Sequence, residues 1–296
     1  MRISVSNGGL RLDSYLISSL SKSRSKIQSM IKNGDILVNG KSSKSSYIVK
    51  IGDIINITFK DEEVMDAKAE KMDLDIVYED DDVIVVNKKN GIVVHPAVGN
   101  TSGTLVNGLL YHSESLSGVN GSFRPGIVHR IDAFTTGLLM IAKNDYAHEF
   151  LAKQLEEKTT HRKYCALVWG VIPNDTGTID APIGRDISDR KKMAVVSGGK
   201  RAITHFRVLK RFKSVTLIEV VLETGRTHQI RVHMNYIGHP VVNDPVYGRR
   251  KLIDDSGQCL HAKELGFVHP RTHKMMMFDS ELPECFLNIL KMFEEE

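Results

Sequence analysis

Between Asp61 and Asp82 the chain carries eleven Asp and Glu against two Lys, a net charge of −9, and the sequence on either side is basic. Its first part, Asp-Glu-Glu-Val-Met-Asp-Ala-Lys-Ala-Glu-Lys-Met over 61–72, offers too little apolar surface to join a core and reads as a solvated acidic linker. That break predicts a small module at 1–60 and a larger domain at 73–296. Residues 1–60 hold ten Lys and Arg against three Asp and Glu (+7), and those beyond Asp82 hold 28 against 22 (+6). Two basic bodies on either side of an acidic joint suit two surfaces that each meet a polyanion.

At 41% hydrophobic and 26% charged residues, the 296-residue chain has enough apolar material for a sizeable core. No run of about eighteen apolar residues suggests a membrane span, and the opening Met-Arg-Ile-Ser-Val-Ser-Asn-Gly-Gly lacks the apolar stretch of a secretory signal. A cytoplasmic protein is expected, with no membrane association. Cys165, Cys259 and Cys285 form no Cys-x-x-Cys pair, which favours buried thiols over a disulfide framework or a zinc site.

Within the small module, Leu12, Tyr15, Leu16 and Leu20 mark one helical face, and Ile27, Met30 and Ile31 mark a second after a Ser-rich break. A short strand follows at 35–38, closed by the Asn39-Gly40 turn, and Gly52–Phe59 alternates as another. Lys22, Arg24, Lys26 and Lys32 lie on or beside the second helix, whose narrow apolar face leaves these cations pointing outward to grip phosphates. The text Arg11-Leu12-Asp13-x-Tyr15-Leu16, then Ser23-Arg24-Ser25-Lys26-Ile27-Gln28 through Asn39-Gly40, resembles the S-four-type RNA-binding module. That resemblance implies a helical face docked on structured RNA.

In the larger domain, β-branched runs at 83–87, 166–169, 202–209 and 215–222 alternate with few helices, predicted at 104–111, 145–158, 229–237 and 283–293. An α+β domain on a large mixed sheet fits. Asp132 stands in a polar loop, His129-Arg-Ile-Asp-Ala-Phe-Thr-Thr-Gly-Leu138, that feeds directly into an apolar strand, so its carboxylate sits on a rigid element beside a cleft. Alone, an Asp after Arg in a loop is more often a cap or a surface ion pair.

The surrounding text changes that reading. Asn87-Lys88-Lys89-x-Gly91 with His95-Pro96, Lys163-Tyr164, Gly225-Arg226-Thr-His228-Gln229-Ile-Arg231, Asn243-Asp244-Pro-Val-Tyr247-Gly248 and Leu260-His261-Ala262 follow in order. Together with the Asp132 loop they resemble the RluA/RluD group of RNA pseudouridine synthases, and the added S-four module and Gly99-Asn100-x-x-Gly103-Thr104 resemble its RluD branch. The resemblance implies a mixed, mainly antiparallel catalytic sheet and a uridine-to-pseudouridine isomerase. Its substrate would be structured rRNA of the large ribosomal subunit, and the group is usually monomeric.

The reaction cuts N1–C1′ and rejoins the base through C5 with no redox change, so neither cofactor nor metal is expected. Asp132 is nominated for the first step, by addition to sugar or base or by removing a sugar proton; the residues do not choose among these routes. Arg231 is the expected partner that orients Asp132, Tyr164 the aromatic that lies on the uracil and helps remove the C5 proton, and Arg130 the residue that fills the gap left by a flipped base. Ile230 and Leu138 are candidate pocket walls. His228, His233 and His239 lack the spacing of a helical zinc pair. Two positions depart from the usual family text: Ala133-Phe134 stands where a basic residue and Asp are common, and Asn243 where Gly is.

A noncatalytic ribosome-assembly factor with the same fold is the main competing class. A carboxylate glycosidase lacks an evident acid partner.

Overall fold

The computed structural model describes all residues except 21–23, 60–66, 98–99, 114, 120, 122–123, 191, 249–251 and 296, and within its elements the side chains of Ser18, Ser25 and Lys26. Residues 61–66 of the expected acidic linker are outside that set. The chain divides into two compact units, Met1–Val64 and Met65–Glu296.

In the first unit β1 (Arg2–Ser4) is followed by α1 (Leu12–Leu20), α2 (Arg24–Lys32), β2 (Ile36–Val38), β3 (Lys41–Ser42) and β4 (Ile54–Ile57). The strands form an antiparallel sheet in the order β1-β4-β2-β3. Asn39 and Gly40, at φ 51° and 74°, make the tight turn between β2 and β3, as two adjacent residues tolerant of positive φ permit. Leu12 and Leu16 from α1 and Ile27, Met30 and Ile31 from α2 pack on Ile36, Val38, Ile55 and Ile57 of the sheet.

The second unit begins with β5 (Ile76–Glu79), β6 (Val83–Lys88), α3 (Leu105–His112), β7 (Thr136–Ala142), α4 (Asp145–Glu157) and β8 (His161–Trp169). It continues through β9 (Thr176–Asp180), β10 (Ile183–Arg185), β11 (Met193–Val195), β12 (Ile203–Arg211), β13 (Val215–Leu222) and α5 (Gln229–Tyr236). It ends with β14 (Leu260–Val268), β15 (Met275–Asp279) and α6 (Glu284–Glu294). The helices start and stop within two residues of the positions predicted from periodicity. Thr104 and Asn144 cap α3 and α4 with side-chain acceptors for Asn107 N–H and Ala147 N–H.

Nine strands make one sheet in the order β5-β6-β7-β14-β8-β13-β12-β9, with β15 also on β14. The β7–β14 pair is parallel and the other pairs are antiparallel, so the sheet is mixed and mainly antiparallel, as expected. One face packs on α3 and α5 through Ile84, Val86, Leu139, Ile141, Ala166, Ile218 and Ile230. The opposite face packs on α4 through Val83, Val85, Leu138 and Leu265, and on α6 through Leu167, Val215, Phe286 and Ile289.

Leu138 therefore belongs to the α4 side and not to the cavity beside Asp132, which corrects its expected place as a pocket wall. All seven residues of β7 are buried, so no polar alternation in the sequence reveals which way Leu138 points. Gly137 has a different constraint. At φ 108° a Cβ there would stand 2.3 Å from the carbonyl oxygen of Ala262, so only glycine lets β7 and β14 approach this closely at the point where the Asp132 loop enters the sheet.

Candidate active site

The Asp132 loop is fixed from three sides before its carboxylate meets anything. Ile131 is buried in the core on the α3 and α5 face. Thr135 Oγ1 accepts from Gln258 Nε2 at 3.0 Å, and Thr135 N–H donates to Asp132 O at 3.1 Å, closing a turn. From below, the fully buried Lys88 at the end of β6 donates through Nζ to Ala133 O at 2.7 Å and to Lys89 O at 3.0 Å. Burial pushes the Lys88 amine down to about 7, against the opposing pull of Asp132.

Arg231 reaches Asp132 from the first turn of α5. That turn is held by Gln229, whose Nε2 donates to Ile203 O and Thr204 Oγ1 and whose Oε1 accepts from Thr224 Oγ1 and Arg226 N–H. Arg231 Nη1 donates to Asp132 Oδ2 at 2.9 Å. Its Nε and Nη2 form a two-pronged pair with Asp244, at 2.7 and 2.8 Å, and its Cζ lies 5.0 Å over the Tyr247 ring. Burial would lower the Arg231 pKa, but Asp244 and then Asp132 outweigh it and hold the guanidinium above its ordinary value. Burial likewise would raise Asp244, and Arg231 with the Val246 and Tyr247 amides brings it below. One guanidinium thus joins a fully enclosed carboxylate to one that is 19% exposed.

His228 completes this group. Its Nε2 is 3.7 Å from Asp132 Oδ1 and its Nδ1 is 2.8 Å from Tyr247 Oη, with a left-handed backbone at φ 57°. Burial first, then Arg231, moves its pKa down against the pull of Asp132.

Asp132, Arg231, Tyr164 and Arg130 all line one cavity of about 390 Å³. Tyr164, on β8, is buried, and burial raises its hydroxyl pKa. Arg130 is exposed at the mouth. Ile230 and Leu222 supply apolar wall, and Arg162, Arg226 and His228 add cationic or neutral donors. The enclosure, with Tyr164 and Asp132 both in its wall, has room for one small planar molecule.

Both departures from the family text have physical explanations. Asn243 adopts φ 60°, a conformation that Gly and Asn tolerate best, and its side chain ties down Asp254, Ser256, Gly257 O and Ile253 N–H. Phe134 packs on Gly257, where a Cβ would come within 2.4 Å of Phe134 Cβ and Cγ, so an apolar contact replaces the charges usual beside the loop.

The small-unit cations are less uniform. Lys32 is exposed at the end of α2. Arg24 is half exposed but turns onto Asp13, with Nε at 3.2 Å. Lys22 and the side chain of Lys26 are outside the described residues. The histidines examined as ligands go to separate partners: His233 to Thr204 and Ala181 O, His239 to Trp169 O. Asp80, Asp82 and His269 come together among the described residues, but Asp80 already accepts from Tyr78, His269 and two amides, and Asp82 from Arg271 and Asn144. Asp244, Lys88 and Tyr247 stand in the motif text with no role that spacing assigns; the charge of the first two, inside otherwise apolar or turn-forming text, is the signal the sequence carries for them.

A folded cavity around an aspartate and a buried arginine, on a mixed sheet of this order, defines the class. The RNA pseudouridylate synthase family model matches residues 82–236 and the S4 domain model residues 10–55, and the chain belongs to the RNA pseudouridine synthase family. It is 56% identical over 282 residues to the uncharacterized RNA pseudouridine synthase YlyB of Bacillus subtilis, covering 95% of this chain and 93% of that one. It is 44% identical over 303 residues to ribosomal large subunit pseudouridine synthase D of Pseudomonas aeruginosa, covering 98% and 93%. The fold is similar to human RNA pseudouridylate synthase domain containing 1, with a TM-score of 0.57 at 24% identity over 80% of this chain and 98% of that one. The chain is an isomerase that forms pseudouridine in RNA. No helix among the described residues is long and apolar enough to cross a membrane.

Proposed function

We propose that this enzyme converts specific uridines of large-subunit (23S) rRNA to pseudouridine. The observation that carries the catalytic assignment is Asp132, held at 2.9 Å by the buried Arg231 with one edge open to a cavity that also holds Tyr164. The ribosomal choice is supported by the similarity to large-subunit enzymes D from several bacteria.

In this reading the target uridine leaves its helix, and Arg130 at the cavity mouth occupies the space it vacates. Asp132 initiates cleavage of N1–C1′, the uracil turns against Tyr164, and C5 bonds to C1′. The C5 proton then leaves with help from the Tyr164 hydroxyl, and N1 gains a proton; atoms and electrons balance without cofactor or metal. Residues 1–60, through Lys22, Lys26 and Lys32, add phosphate contacts that raise affinity without reading sequence, while Arg24 is held by Asp13. The acidic stretch 61–72 joins them to the catalytic domain at 73–296. The enzyme works as a monomer in the cytoplasm, where the rRNA is.

Pseudouridine mapping of 23S rRNA from cells with and without the gene tests target and activity together. Sites that vanish in the deletion and return with the wild-type gene, but not with Asp132→Asn, are the expected result. An unchanged map, with RNA binding retained, would mark a noncatalytic assembly factor.

A further inference from the structure

Arg162 is a cavity residue without a task in the reaction as derived above. It lies on β8 two residues before Tyr164, so strand alternation turns both side chains to the same face, and both line the cavity with Asp132. Its Nε is closed off from solvent and has no hydrogen-bond acceptor. Arg162 also forms no ion pair among the described residues, whereas its neighbour Lys163, on the opposite face, is answered by Glu219 and Glu264. Of the three other arginines lining the cavity, two are engaged and the third, Arg130, is exposed at its mouth. Arg231 is held by two carboxylates, and Arg226 Nε donates to Arg201 O. The Gly225 turn packs beside the guanidinium: a Cβ there would be 3.4 Å from Nη1, and the bare glycine leaves that flank open.

A half-buried guanidinium with an unmatched donor and, among the described residues, no carboxylate within ion-pair distance is stabilised most by an anion. Uracil and ribose are neutral. The anion that enters this cavity with a uridine is its own backbone. We propose that Arg162 binds the phosphate flanking the flipped uridine and thereby sets substrate affinity and the depth to which the nucleotide enters. A uracil carbonyl would satisfy one donor but leave the charge unanswered. The assignment rests on the cavity being the seat of the target uridine.

The test uses the full-length protein and a stem-loop RNA containing a uridine mapped as above. Equilibrium binding is measured in an Asp132→Asn background, with either flanking phosphate replaced by a neutral methylphosphonate. Arg162→Gln is expected to weaken binding about 10- to 100-fold, the range of a hydrogen bond to a charged group. It should also lower the slope of log affinity against log salt by about 0.7 to 0.9, one phosphate contact. In the active enzyme KM rises by a similar factor and kcat falls far less, and Arg162→Lys recovers most of the loss with an unchanged melting temperature.

The decisive comparison is the pairing. One methylphosphonate position costs the Arg162 protein about what the mutation costs and costs Arg162→Gln nothing further. Equal methylphosphonate losses in both proteins overturn the phosphate assignment, as does a variant whose defect is in kcat alone or that gains activity on cytidine, the sign of a base contact. If the wild-type protein neither binds nor isomerises the RNA, the reading of the cavity itself falls, an outcome separable from the others because it does not involve Arg162.

Discussion

Asp13 and Asp132 are both aspartates held by arginine, one in each unit, and they differ in what is left over. The Asp13 carboxylate is fully buried and saturated: Arg11 and Arg24 each approach both oxygens, Gln28 adds a bond at 2.7 Å, and Ser14 a fourth partner. It ties the start of α1 to α2. Among the described residues Asp132 receives one bond, from Arg231 to Oδ2, while Oδ1 has His228 at 3.7 Å and an edge that opens into the cavity. A carboxylate with every lone pair engaged is a joint; one held by a single edge is available for chemistry. Arginine pairing alone therefore does not mark a catalytic aspartate.

The sharpest way to break the comparison is to neutralise the open carboxylate. Asp132→Asn is expected to lower turnover by about 10³-fold or more while RNA affinity and melting temperature stay near wild type. Tritium release from RNA labelled at uracil C5, measured under single-turnover conditions, gives the rate. Residual activity within tenfold of wild type would show that Asp132 is no more reactive than Asp13.

Asp244 supplies the next largest effect, because it shares Arg231 with Asp132. Asp244→Asn removes the charge from a two-pronged buried pair, with an expected loss of about 3 kcal/mol in stability. Arg231 is then free to swing toward Asp132, so kcat falls as well. Urea unfolding and single-turnover rates on the same preparation check both. Retained stability with full activity would mean that Asp132 is oriented without this chain of charges.

Much of this site is legible in the sequence. Asp132, Arg130, Tyr164 and Arg231 stood in recognisable text, and all four line one cavity. What the residues could not disclose was closure at long range. Lys88 and Ala133 are 45 positions apart, and nothing in the text of either says that an amine will seat under the other's carbonyl. Arg24 looked like an outward cation because helical spacing describes faces, not the partner on the preceding helix. Leu138 was misplaced because a strand buried on both faces gives no phase. The two departures were puzzling for a related reason: Asn243 needs a φ value, and Phe134 needs Gly257, which lies across a loop.

Lys88 sharpens the comparison through pH. Its amine is held by carbonyl oxygens under the Asp132 loop and is pushed down to about 7 from an ordinary value near 10.5. Between those values the unfolded chain binds a proton that the folded chain does not, so this group makes stability rise as pH increases from about 7 to about 10. Lys88→Met removes the titration, and the difference in urea midpoint between the two proteins should therefore widen in favour of wild type across that window. A constant difference would show that the buried amine stays charged throughout.

Asp13 has the same sign of slope in an acid window, and the smallest effect on the reaction. Its partners, Arg11 first, hold the carboxyl well below the usual range, against the opposing effect of burial. The stabilisation is complete above the unfolded value of about 4 and is lost as pH falls through it toward the folded one. Asp13→Asn should therefore lower the melting temperature at pH 7 and remove Asp13's share of the acid sensitivity below pH 4, leaving that of Asp244 and the other lowered carboxylates. It also releases Arg24 and Arg11 from α1, which alters affinity for RNA but not the cavity that holds Asp132. At saturating RNA, kcat within about twofold of wild type is expected, since surface and structural changes away from the reacting groups leave the transition state untouched. A large loss of kcat would instead make the saturated aspartate part of the catalytic assembly, and the distinction between a joint and an open carboxylate would no longer hold for this protein.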